Sequence, residues 1–262
     1  MKPIRIIILT LFLALACLAD VTSHSPSPSA TPSAKPRTAP DNAEQDYRRG
    51  VQFADGDGVK QDYAEAARLY RRAAEKGLAS AQYNLAFLYE KGLGVECDLK
   101  QAARWYRKAA LQGDPEAQNN LGVMYASGQG VPRDDAAAIH WYRLAAAQDD
   151  PEATSNLASM YLQGRAVKRD LSQAFQLFRK AAERGYAAAQ NNLALMYANG
   201  QGVARDYIWA YVWMDLAAGK IPASAQLRER ITKEMTPEEI TRARDRAASK
   251  RVELAQKGEA SK

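Results

Sequence analysis

Five aspartates recur at one interval of 36 residues: Asp62, Asp98, Asp134, Asp170 and Asp206. Carboxylates this regular could work as general acids and bases, yet each stands just before an amphipathic stretch, where a helix N-cap accounts for it. Arg133, Arg169 and Arg205 precede three of them, with Lys60 and Lys168 nearby. Cations repeated at that interval could form a ridge for an anionic polymer or lipid headgroups. His140 stands in a column filled elsewhere by Arg68, Arg104, Gln176 and Val212, so it is expected at the surface, with no nucleophile or orienting acid in its pattern. Two histidines and two cysteines in 262 residues supply neither a zinc set nor a disulfide framework. Twelve of the sixteen glycines fall in recurring stop or loop positions, which makes them punctuation and not a phosphate-binding loop. No catalytic residue, metal ligand or cofactor is expected.

The same period sets the elements that carry these residues. From residue 43 the chain divides without insertion into 43-78, 79-114, 115-150, 151-186 and 187-222. Ala81, Ala117, Ala153 and Ala189 share one column; Leu85, Leu121, Leu157 and Leu193 share another; Tyr89, Tyr125, Tyr161 and Tyr197 a third, with Phe53 in the first repeat. In the second repeat Ala81, Leu85, Leu88 and Tyr89 fall at i, i+4, i+7 and i+8, one face of a helix. Gly92 stops that helix and Asp98 opens the next, whose face is Ala102, Trp105, Tyr106, Ala109 and Ala110. Glu65, Gln101 and Gln173 stand three residues after their aspartates, the spacing of a capping box. Asp114-Pro115 and Asp150-Pro151 restart helices with an acidic cap and a first-turn proline.

Each repeat is therefore two helices. The expected fold class is all-α, a right-handed superhelical α/α solenoid whose pairs bury their apolar faces only by stacking. Arg49 and Gln52 stand where later repeats carry Leu or, in the Gln52 column, Leu88 and then Met, as at a stack end facing water. At the other end, in 223-262, Thr236-Pro237-Glu238-Glu239 starts a basic helix. Its Ile240, Ala243, Ala247 and Leu254 are expected to cover Trp209, Tyr211 and Trp213.

Lys2 and Arg5 ahead of the apolar run from Ile6 to Ala16 form a secretory signal peptide over 1-16, too short to span a bilayer as a stable helix. Cys17 follows directly. Ala14-Leu15-Ala16-Cys17 resembles a bacterial lipobox, with Ala14 where Leu is usual, so Cys17 is a lipidation candidate beside ordinary cleavage after Ala16 or Ala19. Residues 17-42 hold five prolines among Ser, Thr and Ala, the composition of an extended tether. With Cys17 lipidated, Cys97 has no intrachain partner and is either free or an intermolecular crosslink. The chain is thus expected to be exported and periplasmic, with a membrane tether through a lipid. Its net charge of +6 does not argue for nucleic acid: Lys2 and Arg5 leave with the signal, and 223-262 holds ten basic against seven acidic residues.

The pattern Ala117-x-x-Asn120-Leu121-x-x-x-Tyr125-x-x-Gly128-x-Gly130-Val131-x-x-Asp134, continued by Ala138-x-x-Trp141-Tyr142-Arg143-x-Ala145-Ala146, resembles the Sel1-like repeat, a relative of the tetratricopeptide repeat. The resemblance covers 43-222, with two departures: Ala166 replaces the second loop glycine, and Asp149 replaces the glycine that ends a second helix. It implies a solenoid that binds other proteins on its concave side, as adaptors in export complexes, signalling regulators and host-contact factors do. For this chain that means a non-catalytic scaffold whose partner is an envelope or secreted protein or peptide, with no small-molecule cofactor. Some cysteine-rich relatives are described as β-lactamases, but the chain has no Ser-x-x-Lys nucleophile and cannot form their disulfide in each repeat, so an envelope hydrolase is the lesser alternative. Outward positions on the first helices that vary between repeats are Tyr83 and Phe87, Asn119 and Val123, Ser155 and Ser159, Asn191 and Leu195. These are the expected partner-binding residues, anchored at Tyr83 and Phe87. Packing between repeats is the competing role for Phe87 and Leu195.

Overall fold

The computed structural model describes residues 42–260, with side chains to residue 257. The expected signal peptide, Cys17 and the tether up to residue 41 lie outside the described residues. Among the described residues there are twelve α-helices and no strand: α1 (Asn42–Asp55), α2 (Tyr63–Glu75), α3 (Ala79–Lys91), α4 (Leu99–Leu111), α5 (Pro115–Ser127), α6 (Asp135–Ala147), α7 (Pro151–Gln163), α8 (Leu171–Glu183), α9 (Ala187–Asn199), α10 (Tyr207–Ala217), α11 (Pro222–Thr232) and α12 (Pro237–Ala260). The fold is the expected all-α stack of helix pairs. It forms two compact units, 42–145 and 146–260, with α6 running across the division.

Each second helix starts where the aspartate column predicts. Asp62, Asp98, Asp134, Asp170 and Asp206 accept backbone N–H groups of the first turn at 2.9–3.0 Å. Such a cap is worth about 1 kcal/mol each. The reciprocal half of the expected capping box is not made at Glu65, whose carboxylate turns to Arg68. The reason is local: the N–H of each capping aspartate already donates to the carbonyl of the aromatic column, from Asp62 to Phe53 and from Asp98 to Tyr89, at 2.9–3.0 Å. Closing the loop this way removes the donor that a capping box needs. A full box does form at the start of α12, between Thr236 and Glu239.

The alanine columns make the close approach possible. Ala66, Ala102, Ala138, Ala174 and Ala210 are all fully buried, as are Ala73, Ala109, Ala145, Ala181 and Ala217. Tyr70, Tyr106, Tyr142 and Phe178 fill the space beside them. Arg49 and Gln52 are exposed, as expected of a stack end. At the other end α12 buries Ala243 and Ala247 against α10, with Ile240 and Leu254 at the edge, and Trp213 and Tyr211 are buried.

The two departures from the glycine pattern are the two non-glycine residues with positive φ among the described residues, Asp149 at 65° and Ala166 at 52°. Left-handed backbone costs an ordinary residue about 1–2 kcal/mol. Asp149 recovers part of this through Lys180 and Arg184, at 2.8 and 2.7 Å. Cys97 is disulfide-bonded and so is not the free thiol that one of its two expected fates required.

Candidate functional site

A buried polar column lies under the surface that the first helices present. Gln82, Gln118 and Gln190 are each 4% exposed. Their side-chain amides donate to the carbonyls of Ala74, Ala110 and Ala182 at 3.0, 3.1 and 3.2 Å, in the last turn of the preceding second helix, where helical donors run out. Gln112 in turn donates to Gln82 at 2.7 Å. At the first repeat Asp46 takes this position and pairs with Arg72 and Lys76. In the fourth, Thr154 is too short to reach and bonds its own Asp150 carbonyl, while Lys180 comes to 3.5 Å of the Ala146 carbonyl. Sequence reasoning missed this column because glutamine is ordinarily a surface residue; its recurrence at Gln82, Gln118 and Gln190 was the signal.

In 42–145, three of the expected binding residues reach the surface: Tyr83, Phe87 and Val123 are half-buried. Asn119 is 3% exposed and faces inward. The Tyr83 ring lies 5.6 Å from that of Tyr106. Burial, then the charge of Glu116, push the Tyr83 hydroxyl well above its ordinary range. The fully buried Tyr106 donates to Glu90 at 2.8 Å, and burial followed by the Glu90 charge raises it in the same way. Both phenols therefore stay protonated, and that of Tyr106 donates to a carboxylate. Glu90 lines a small, partly open depression together with Leu99, Asn120, Val123, Met124 and Gln129.

The expected residues of 146–260 are placed differently. Ser155 is 4% exposed and Leu195 1%. Ser159 bonds the Ser155 carbonyl at 3.1 Å. Asn191 accepts from the fully buried Ser224 of α11 at 2.8 Å. Leu195 belongs to the apolar cluster that includes Ile231 of α11, so packing is its role. The expectation of eight outward residues is corrected to five: Asn119, Ser155 and Leu195 are interior. Asn119 and Ser155 are covered by the packing of their own repeats, and Leu195 by the cluster that reaches α11.

The arginines of the loop edge are exposed but held locally. Arg133 forks onto Asp135 at 3.2 Å, Arg169 donates to the Leu162 carbonyl at 3.0 Å, and Arg205 lies over the Tyr207 ring at 5.4 Å. A carboxylate at Arg133 and an aromatic face at Arg205 leave less free positive charge than the bare column suggests. Among the described residues no cluster of His, Cys, Asp and Glu is arranged to hold a metal, and no helix is long and apolar enough to cross a membrane.

Comparison with known proteins bears on the repeat itself. The Sel1 repeat model matches residues 43–78, 79–114, 115–150, 151–186 and 187–220. The protective antigen c5321 of uropathogenic Escherichia coli, which displays an SLR fold, is 33% identical over 84% of this chain with a TM-score of 0.69. The match takes in only 46% of that antigen's length. A Sel1 repeat protein from Oxalobacter formigenes is 35% identical, with 69% of this chain and 74% of that one covered and a TM-score of 0.64. The immunity protein Pa5087 of Pseudomonas aeruginosa, 22% identical with a TM-score of 0.50 over 85% of this chain and 84% of its own, shares the fold alone. No curated protein matches the chain.

Proposed function

The chain belongs to the Sel1 repeat family, and from that premise we propose that it is a non-catalytic scaffold of the bacterial cell envelope. Sel1 repeat proteins generally mediate protein–protein interactions. Here the partner is an envelope or secreted protein, or a peptide segment of one, docking on the concave face of the first helices. The observation that carries this reading is the pair Tyr83 and Phe87, two aromatic side chains one helical turn apart on α3 that remain partly open. Crosslinking capture from the native envelope should recover one defined partner, and Tyr83→Ala with Phe87→Ala should lower recovery about tenfold or more while helicity is unchanged. Equal recovery by the double variant would reject this face. Turnover of a cell-wall substrate by the purified protein would favour a hydrolase instead.

Export with a lipid tether at Cys17 is part of the same proposal, supported by the signal pattern of residues 1-16 and by the antigenic role of the Escherichia coli relative. The chain has two cysteines, so lipidation of Cys17 and an intrachain bond at Cys97 exclude one another. Palmitate incorporation that disappears in Cys17→Ala is the expected result. Incorporation unaffected by Cys17→Ala would remove the tether.

A further inference from the structure

We propose that the surface of α3 and α5 carries a seat for a basic side chain, so that the partner presents a lysine or arginine flanked by apolar residues. This rests on the reading that the first helices bind a peptide, and it names the chemistry of that peptide.

Glu90 is the starting point. Its column is Ala54, Ala126, Leu162 and Ala198 in the other repeats, all between 3% and 5% exposed. A carboxylate in a column that otherwise faces the core loses hydration; one acceptor for the buried Tyr106 hydroxyl accounts for a polar group there, but a neutral side chain would serve that purpose without a charge. Yet Glu90 is firmly oriented. One oxygen accepts the hydroxyl of the fully buried Tyr106, and the other faces the Lys91 ammonium at 2.6 Å. Lys91 lies also 5.7 Å over the Phe87 ring. An ammonium already finds a carboxylate and an aromatic face together here, which is the pairing that a cationic side chain prefers. The Lys91 contact joins adjacent residues that are 41% and 24% exposed, a geometry worth at most about 1 kcal/mol, so an incoming cation can displace it.

Shape and charge agree with that occupant. The small, partly open depression at Glu90 is lined by the apolar Leu99, Val123 and Met124 with the polar Asn120 and Gln129. A long side chain lying along it would rest its apolar stem on Val123 and Met124 and bring its charged head to Glu90. Glu116, whose charge acts on Tyr83, adds a second carboxylate on α5. The second helix α4, by contrast, carries Lys100, Arg104, Arg107 and Lys108 and no acid. A basic segment is therefore repelled by α4 and attracted to the first-helix surface.

The test is a synthetic peptide array of the form Leu-X-Leu, with X as Lys, Arg, norleucine, Gln or Glu, probed with the purified chain. Wild type should retain the Lys and Arg peptides about tenfold better than the norleucine peptide, with the preference falling as salt is raised. Glu90→Ala restores the residue of the neighbouring repeats, and Glu90→Gln keeps an acceptor for Tyr106 but no charge. Both should bind all X about equally, Glu90→Gln with an unchanged melting temperature and Glu90→Ala with a lower one because the buried Tyr106 hydroxyl loses its acceptor, whereas Tyr83→Ala with Phe87→Ala should lose every peptide. Retention without a cationic preference, or a preference that survives in both Glu90 variants, overturns the basic seat and leaves the peptide surface standing. Wild type retaining no peptide overturns both.

Discussion

Gly130→Ala is expected to destabilise the unit 42–145 by about 3–5 kcal/mol, while Gly113→Ala, also at positive φ, costs only about 1–2 kcal/mol. Both glycines are left-handed, at 69° and 95°. The difference lies in their surroundings. A Cβ on Gly130 would sit 2.1 Å from the Leu99 carbonyl oxygen and 2.9 Å from the Met124 side chain, whereas one on Gly113 would meet nothing within 4 Å. Leu99 opens α4 of the preceding repeat, so the second loop glycine is where one repeat's backbone presses on the next. The obstacle is backbone and cannot rotate away; overpacking adds to the cost of left-handed strain. Gly94 and Gly202 face the same obstacle, at 2.2 Å from Tyr63 and Leu171 backbone. Urea unfolding followed by the fluorescence of Trp105 and Trp141 measures the pair. Equal losses would mean that the loop shifts freely and the contact between repeats is loose.

Asp215→Arg is expected to release α11 and α12 from α10 at a cost of about 2 kcal/mol, discounted for the partly exposed arginines. The column of Asp215 holds Arg71, Arg107, Arg143 and Arg179 in the other repeats. There the arginine latches forward onto the next repeat: Arg71 donates to the Tyr89 hydroxyl and Arg107 to that of Tyr125. After the fifth repeat no further tyrosine follows, and the column changes sign. Asp215, with its side chain 16% exposed, accepts from Arg228 of α11 and from Arg251 of α12 at 2.6 Å. Arginine at 215 would place three cations together. Lys250 lies over Trp213 and Arg246 over Trp209, so loosening of α12 should appear as a red shift of tryptophan emission and as proteolysis within 222–260. Adding Arg228→Glu should restore most of the loss. An unchanged emission spectrum in the single variant would show that Ala243 and Ala247 hold α12 by packing alone.

The helices, their caps and the loop were legible because they follow from short-range rules. An aspartate before an apolar turn, a proline at the first turn and a glycine after the last all act within about one helical turn. The capping box at Glu65 failed for a reason just beyond that range, since the donor it needs is engaged by Phe53, nine residues away. The candidate site was legible only in part. Tyr83 and Phe87 stood out as variable aromatic positions, and both are partly open. Asn119 and Ser155 occupy the same column as Tyr83 and Asn191 but are buried, because exposure there is set by what packs over each repeat, which periodicity cannot report.

The sequence by itself determined that this protein is a stack of helix pairs, where each helix begins and ends, and which end is capped. Those properties repeat, and repetition makes a local preference visible five times over. Tertiary structure alone decided which carbonyl each buried glutamine satisfies, that Glu90 leans on Tyr106, and that Asn191 is taken up by Ser224. Each of these joins groups on different helices whose distance and direction are set by packing. A side chain's role there is fixed by its neighbour in space, and a pattern along the chain carries no record of it.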